Sequence, residues 1–333
     1  MYTRPMFSRV LVVGATGTIG RAVVRQLIDE GFPVTLLVRR ASEEAARAMF
    51  PEGITILPTE FDDEDWFERL GLGGARQDAV ISCLASRTGD PEDAWAVDYR
   101  ANSLLLKTAV RVGVRRFVLL SAICVQKPLL AFQQAKLAFE AELQAAPITW
   151  SIVRPTAFFK SLSGQVERVR RGKPYLVFGD GRLTACKPLS DRALAEFLVD
   201  CVDDPTRWRR IHVVGGPGPA LTPRQQGELL FTLMDKPPRF KEIPVSLLDR
   251  IIRVLTVLGK VLPPLARKAE LVRIARYYAT ESMLALDPRT GQYSAEATPW
   301  IRSETLGDHY MRLIRGGDRA QLGVHAVFDR KAR

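Results

Sequence analysis

The run Val10-Leu11-Val12-Val13-Gly14-Ala15-Thr16-Gly17-Thr18-Ile19-Gly20 constrains the fold more than any other segment of the chain. Four consecutive apolar residues suit a short strand buried on both faces of a parallel sheet. Three glycines at a spacing of three follow, and then a helical pattern in which Ile19, Val23 and Leu27 recur every four positions. Strand, glycine turn and helix in that order bring unpaired backbone N–H groups to a helix N-terminus, where a pyrophosphate can sit. The glycines allow the tight turn, the approach of backbone to phosphate and the packing of helix on strand. Gly14, Thr16, Gly17, Thr18, Ile19 and Gly20 are therefore expected to hold a dinucleotide.

A second strand, Val34 to Val38, ends in Arg39-Arg40. A site for NAD usually places Asp or Glu here for the ribose hydroxyls, whereas an arginine accommodates the 2′-phosphate of NADP. A guanidinium fork matches phosphate oxygens in a planar, charge-assisted geometry. No acidic residue intervenes before Glu43, so Arg39 and Arg40 point to NADPH.

Further strand-like runs follow at Ile54–Leu57, Ala79–Cys83, Phe117–Leu120 and Thr149–Val153. Helical patterns lie between them at Thr18–Glu30, Asp63–Leu70, Ala94–Val112 and Ala131–Ala145. That alternation predicts an α/β fold, a doubly wound parallel sheet of Rossmann type spanning residues 8–155. Right-handed crossovers gather the C-terminal ends of the first, fourth and fifth strands around one crevice. Cys83, Leu84, Ala85 and Ser121 should line the cofactor groove there. Beyond Arg154-Pro155, glycine and proline turns become frequent, which predicts a smaller, mostly helical substrate lobe over residues 156–315. Within it a helix at Arg192–Cys201 and a strand at Ile211–Val214 should return to the sheet, about residues 190–215. A loosely ordered tail is expected over residues 316–333.

The charge is uneven. Residues 1–150 carry 17 basic and 18 acidic side chains, whereas residues 151–333 carry 31 and 19. Such a basic excess suits an acidic small substrate or an anionic membrane surface. No helix-turn-helix, finger or aromatic-basic motif accompanies it, which argues against nucleic acid. The four cysteines form no C-x-x-C pair, and three scattered histidines suggest no metal site. No signal peptide precedes the first strand, so a reduced, cytoplasmic protein is expected. The stretch Val245–Leu262 is interrupted by Asp249, Arg250, Arg253 and Lys260, which excludes a membrane span. Its residues Leu248, Ile251, Ile252, Leu255, Leu258 and Leu262 share a helical face. That face is expected to pack on a core, with a helix resting on a bilayer as the alternative.

The spacing G-x-x-G-x-x-G at Gly14–Gly20 resembles the short-chain dehydrogenase/reductase superfamily. That superfamily usually pairs Tyr and Lys four residues apart on a helix, with a Ser ahead of them after the fifth strand. Ser121 and Lys136 stand at matching positions, but four residues before Lys136 stands Phe132. A phenol beside a lysine supplies the proton when a carbonyl is reduced. A phenyl ring cannot. Either the chemistry needs no strong acid there, or the protein only binds its cofactor. Lys136 is expected to bond the nicotinamide ribose, the alternative being a solvated helix lysine.

The segments Ser82–Gly89, Trp95–Tyr99, Phe117–Leu130, Ile152–Leu162, Lys173–Tyr175, Phe178–Gly181 and Ala185–Pro188 are similar to those of the divinyl chlorophyllide 8-vinyl reductases. The resemblance runs from Arg9 to Ile314. It implies NADPH-dependent reduction of an 8-vinyl group to ethyl on a divinyl chlorophyllide-type tetrapyrrole, a step in chlorophyll or bacteriochlorophyll biosynthesis. It also implies a place peripheral to photosynthetic membranes. Phe158 and Phe159 are placed either to pack against a flat macrocycle or to join the core. Lys160 and Lys187 either meet a propionate carboxylate or are surface lysines. Two other readings stay open: another double-bond reductase of this fold, and a catalytically silent NADP-binding regulator or photosystem assembly factor. The preferred tetrapyrrole and the oligomeric state are left open.

Overall fold

All four residues of strand β1 (Val10–Val13) are buried, and successive side chains enter different layers. Val10 and Val12 join helix α1 (Thr18–Asp29) and its Val23 and Leu27 on one face. Leu11 and Val13 join Leu105, Phe117, Phe139 and Leu143 on the other. A strand so placed has no solvated face, which is why its residues are all apolar rather than alternating. Full burial of each such side chain is worth about 1.5–3 kcal/mol.

The computed structural model describes residues 8–60 and 77–316. β1 lies between β2 (Val34–Arg39) and β4 (Ala79–Ser82), with Val10 opposite both Val34 and Ala79. The full sheet adds β3 (Thr55–Thr59), β5 (Arg116–Leu120), β6 (Thr149–Pro155) and β8 (Arg210–Val214). Its order is β3-β2-β1-β4-β5-β6-β8, and every pairing is parallel. The order reverses between β1 and β4, where ligands bind at the carboxyl ends of such sheets. The alternation of strand and helix thus gives the α/β sheet that the sequence leads one to expect. The helix expected at 63–70 and the tail from 317 onward lie outside the described residues.

Helix α2 (Asn102–Arg111) follows a π-helical turn, Trp95–Ala101, so the single helix expected over 94–112 changes register partway. Helix α3 is Ala131–Ala145. Between β6 and β8 the chain leaves the sheet and comes back through helix α4 (Asp191–Asp203), which is capped by Ser190 and packs on α1. The excursion helps to build a second core from Phe159, Val169, Tyr175 and Val177. Leu230 and Phe231 of α5 (Pro223–Leu233) and Tyr310 and Leu313 of α8 (Leu306–Ile314) complete it. Strands β7 (Tyr175–Phe178) and β9 (Phe240–Ile243) form a parallel pair beside it.

The stretch from Val245 departs from expectation. It forms α6 (Val245–Gly259), which packs mainly on α7 (Pro263–Thr280) as a helical hairpin, and only Leu248 of α6 is buried. The apolar face is wider than one partner helix can cover, so Ile251, Leu258 and Leu262 remain exposed. No helix among the described residues is long and apolar enough to cross a membrane.

Candidate active site

The glycine turn is shaped by atoms that leave no room for a side chain. Gly14 has φ +79°, and a Cβ there would lie 2.6 Å from the Cys83 carbonyl oxygen. A Cβ on Gly20 would lie 2.2 Å from the Gly14 carbonyl oxygen, so α1 can sit this close to β1 only without one. Gly17 donates its N–H to Gly14 (3.0 Å) and starts α1 with no side-chain cap. No acidic residue occupies the first turn. Free N–H groups and the positive end of the helix dipole remain for an anion. These features fit the pyrophosphate of a dinucleotide.

At the end of β2, Arg39 and Arg40 are both exposed, and no described side chain pairs with either. Arg39 ends the strand beside β1 and Arg40 begins the turn after it, where the adenosine ribose of a dinucleotide would be read. On the other side, Cys83 continues from β4 and donates its N–H to Val13. Burial pushes its thiol up to about 12, although the Lys136 ammonium nearby pulls the other way. Leu84 is buried and Ala85 exposed. Cys83, Leu84 and Ala85 thus follow the strand beside β1.

Lys136 is not a solvated lysine. Its Nζ lies 2.8 Å from Asp98 Oδ1, and the two side chains are 11% and 1% exposed. Asp98 Oδ2 also accepts from the Ser86 N–H at 3.3 Å. Asn102 holds the turn by donating to the Val97 and Asp98 carbonyls and accepting from Ser82 Oγ. Asp98 went unnoticed as a site residue in the sequence. The available signal was a carboxylate on the face Asp98, Asn102, Leu105, Ala109, all of them buried. A buried carboxylate requires a partner.

Ser121 is placed otherwise than the superfamily pattern suggests. Its Oγ donates to Glu140 at 2.5 Å, and Glu140 is held by the Arg154 guanidinium through both carboxylate oxygens. Ser121 is buried, and its hydroxyl serves this internal network.

Phe132 is half-buried beside Cys124, Leu130 and Tyr277. The lobe therefore brings phenols close to it from α7. The Tyr277 hydroxyl donates to the carbonyls of Cys124 (2.9 Å) and Lys127 (3.2 Å), and that of Tyr278 approaches Cys124 Sγ at 3.9 Å.

The four substrate candidates do not converge. Phe158 packs against the sheet core. Phe159 is 2% exposed and stacks on His309 inside the second core, so it cannot meet a macrocycle. Lys187 is buried, with its Nζ donating to the Thr298 carbonyl at 3.2 Å, and is no surface lysine. Lys160 turns back across the groove and donates to Thr18 Oγ1 at 2.7 Å, at the mouth of the glycine turn. Burial and the Arg21 guanidinium hold its ammonium below the ordinary lysine range, while Asp191 pulls it up.

Fold and glycine turn together define a Rossmann-type NAD(P)H-binding protein. An NAD(P)H-binding family matches residues 14–205. The same fold occurs in an NADPH-dependent quinone oxidoreductase of Escherichia coli, solved with NADPH, at TM-score 0.64 and 15% identity over 92% of this chain and 99% of that one. The chain is 47% identical to divinyl chlorophyllide a 8-vinyl-reductase of Arabidopsis thaliana, over 95% of its own length and 79% of the relative's. It belongs to that family. A photosystem II assembly factor of Guillardia theta is more distant, 31% identical over 47% of this chain and 48% of its own.

Proposed function

We propose that the protein reduces the 8-vinyl group of a divinyl chlorophyllide to ethyl with NADPH. Its family membership over nearly the whole chain carries this reading. Hydride reaches one vinyl carbon and a proton the other, leaving an ethyl group and NADP. NADPH supplies the hydride when bound. The glycine turn holds the pyrophosphate at the N-terminus of α1, and Arg39 and Arg40 take the 2′-phosphate. Cys83, Leu84 and Ala85 wall the groove, and Phe158 closes it beyond β6. Lys136, fixed by Asp98, holds the nicotinamide ribose. A conjugated vinyl accepts hydride because the macrocycle spreads the negative charge, so no phenol is required where Phe132 stands. The protein's work is alignment and exclusion of water. The basic excess after residue 150 adds peripheral contact with an anionic membrane to the same reading.

The test is direct. Divinyl chlorophyllide and NADPH are incubated with the protein and the pigment is chromatographed; a monovinyl product is expected. Phe132 also favours a second reading, a silent NADP-binding assembly factor. NADPH binding without any monovinyl product would select it.

Two cofactor predictions accompany this reading. Arg39→Asp is expected to weaken NADPH by about 1.5–3 kcal/mol, the worth of a charge-assisted hydrogen bond, and to leave NADH nearly unchanged. Equal loss for both cofactors would reduce the arginines to a solvated strand end. Lys160 lies against Thr18 and so belongs with the pyrophosphate rather than with a substrate carboxylate. Lys160→Met is expected to raise the Kd of NADPH and NADH alike by about tenfold. An unchanged cofactor Kd with a raised pigment KM would return Lys160 to the substrate.

A further inference from the structure

The largest unexplained feature is the outer face of the α6–α7 hairpin. Along α6, Leu248 is buried and Ile252 and Leu255 are half-buried, on the side where Gly259 meets Ala266 of α7. A second apolar stripe, Leu247, Ile251, Val254, Leu258 and Val261, follows the alternating four- and three-residue steps of one helix face. Every member is exposed, from Ile251 at 36% to Val261 at 81% at the hairpin tip. Val257 and Leu262 widen the stripe at 60% and 54% exposure. Single exposed apolar residues need no explanation, but a continuous stripe of this kind marks a contact surface.

Charge says what it contacts. Residues 245–280 contain seven basic and two acidic side chains. Both acids are taken by arginines of the hairpin itself, Asp249 by Arg276 and Glu270 by Arg273. Arg250, Arg253, Lys260, Arg267 and Lys268 carry no described ion pair. On the helix wheel Arg250, Arg253 and Lys260 flank the open stripe on the side away from Leu248 and Ile252. An apolar stripe with a cationic flank is the pattern of a helix lying in the interface of an anionic bilayer. A protein partner fitting the same face would need an acidic rim around an apolar groove, whereas a bilayer with anionic headgroups supplies both over any area.

We propose that the α6–α7 hairpin is the membrane-docking element, seating Val254, Val257, Leu258, Val261 and Leu262 among acyl chains with Arg250, Arg253 and Lys260 at the headgroups. The proposal extends the peripheral-membrane reading above to a named element and does not depend on the vinyl chemistry. The far end of α7 reaches the active site, where Ile274, Tyr277 and Tyr278 stand against Cys124 and Phe132. α7 has 18 residues, about 27 Å at 1.5 Å per residue, so one rigid helix joins the bilayer to the wall of the pigment site. An amphipathic substrate lodged in the membrane would meet the groove along that wall.

The full chain should be floated with vesicles of phosphatidylcholine alone and with phosphatidylglycerol added. Binding is expected only with the anionic lipid and should fall as salt rises. Val257→Glu combined with Val261→Glu should reduce vesicle binding at least tenfold, and so should Arg250→Gln with Arg253→Gln and Lys260→Gln. All these positions are exposed, so the NADPH Kd and the melting temperature should not move. Equal flotation of the wild type and the Val257/Val261 variant would overturn the hairpin proposal while leaving membrane contact standing. No flotation of the wild type at low salt would overturn both. A dimer in solution that the Val257/Val261 variant converts to monomer, without vesicle binding, would make the face a contact between two copies and would also overturn it.

Discussion

In Lys136→Ala, turnover is expected to fall about 10²-fold, because small errors in aligning a hydride donor are costly. The lysine is held by Asp98 inside the protein, and removing it alone leaves a carboxylate that is 1% exposed without its cation. Breaking such a pair costs about 3–5 kcal/mol, so some of the loss could come from the fold. The double variant Lys136→Met/Asp98→Leu separates the two effects. An apolar pair of similar volume is close to neutral for stability. It should therefore melt near the wild type and still turn over about 10²-fold more slowly, with weakened NADPH binding. Full activity in either variant would remove Lys136 from the site. Phe132→Tyr restores the superfamily's Tyr–Lys spacing and is expected to give no gain, since a carbanion spread over the macrocycle is no alkoxide awaiting a proton. A large gain would mean that proton delivery from that position limits the reaction.

What the sequence made legible follows from how local each feature is. The glycine turn was readable because its requirement is intrinsic: Gly14 needs a positive φ, and Gly20 needs the absence of a side chain. The place of Arg39 and Arg40 at the end of the strand beside the first is likewise set by local sequence. The Lys136–Asp98 pair was only half readable. The lysine sits at a fixed spacing on its helix, but its partner is 38 positions away and reaches it from a π-helical turn, a register that periodicity does not encode. Lys160 and Thr18 are 142 positions apart, and only the return of the lobe over the sheet brings them together. Phe159 and Lys187 are drawn inside by tertiary packing that the local sequence does not encode, Phe159 into the second core and Lys187 onto the Thr298 carbonyl. On α6 the apolar pattern was visible, but not that it divides into one stripe met by α7 and another left open. Local sequence tells which face is apolar, whereas tertiary packing decides how much of it is covered.

The Ser121–Glu140–Arg154 network gives the second large effect, this time on stability. Glu140 is 1% exposed at its side chain and sits on α3, between Ser121 after β5 and Arg154 on β6. It thus ties together α3, the end of β5 and β6. Arg154→Met leaves the carboxylate buried with only the serine hydroxyl. The expected cost is about 3–5 kcal/mol. For a protein of this size that lowers the melting temperature by about 10 °C. Glu140→Leu combined with Arg154→Met removes both charges and should recover most of the loss, as apolar replacements of buried pairs do. A single Arg154→Met variant melting within two or so degrees of the wild type would show that the pair is not holding the fold. Ser121→Ala separates the structural role from the catalytic one. If its hydroxyl is committed to Glu140, the variant loses about 1.5–3 kcal/mol of stability, as for a hydrogen bond to a charged group, and keeps its turnover. A hundredfold fall in turnover at an unchanged melting temperature would instead place that hydroxyl at the substrate, as in the Ser–Tyr–Lys enzymes whose tyrosine this chain has replaced by Phe132.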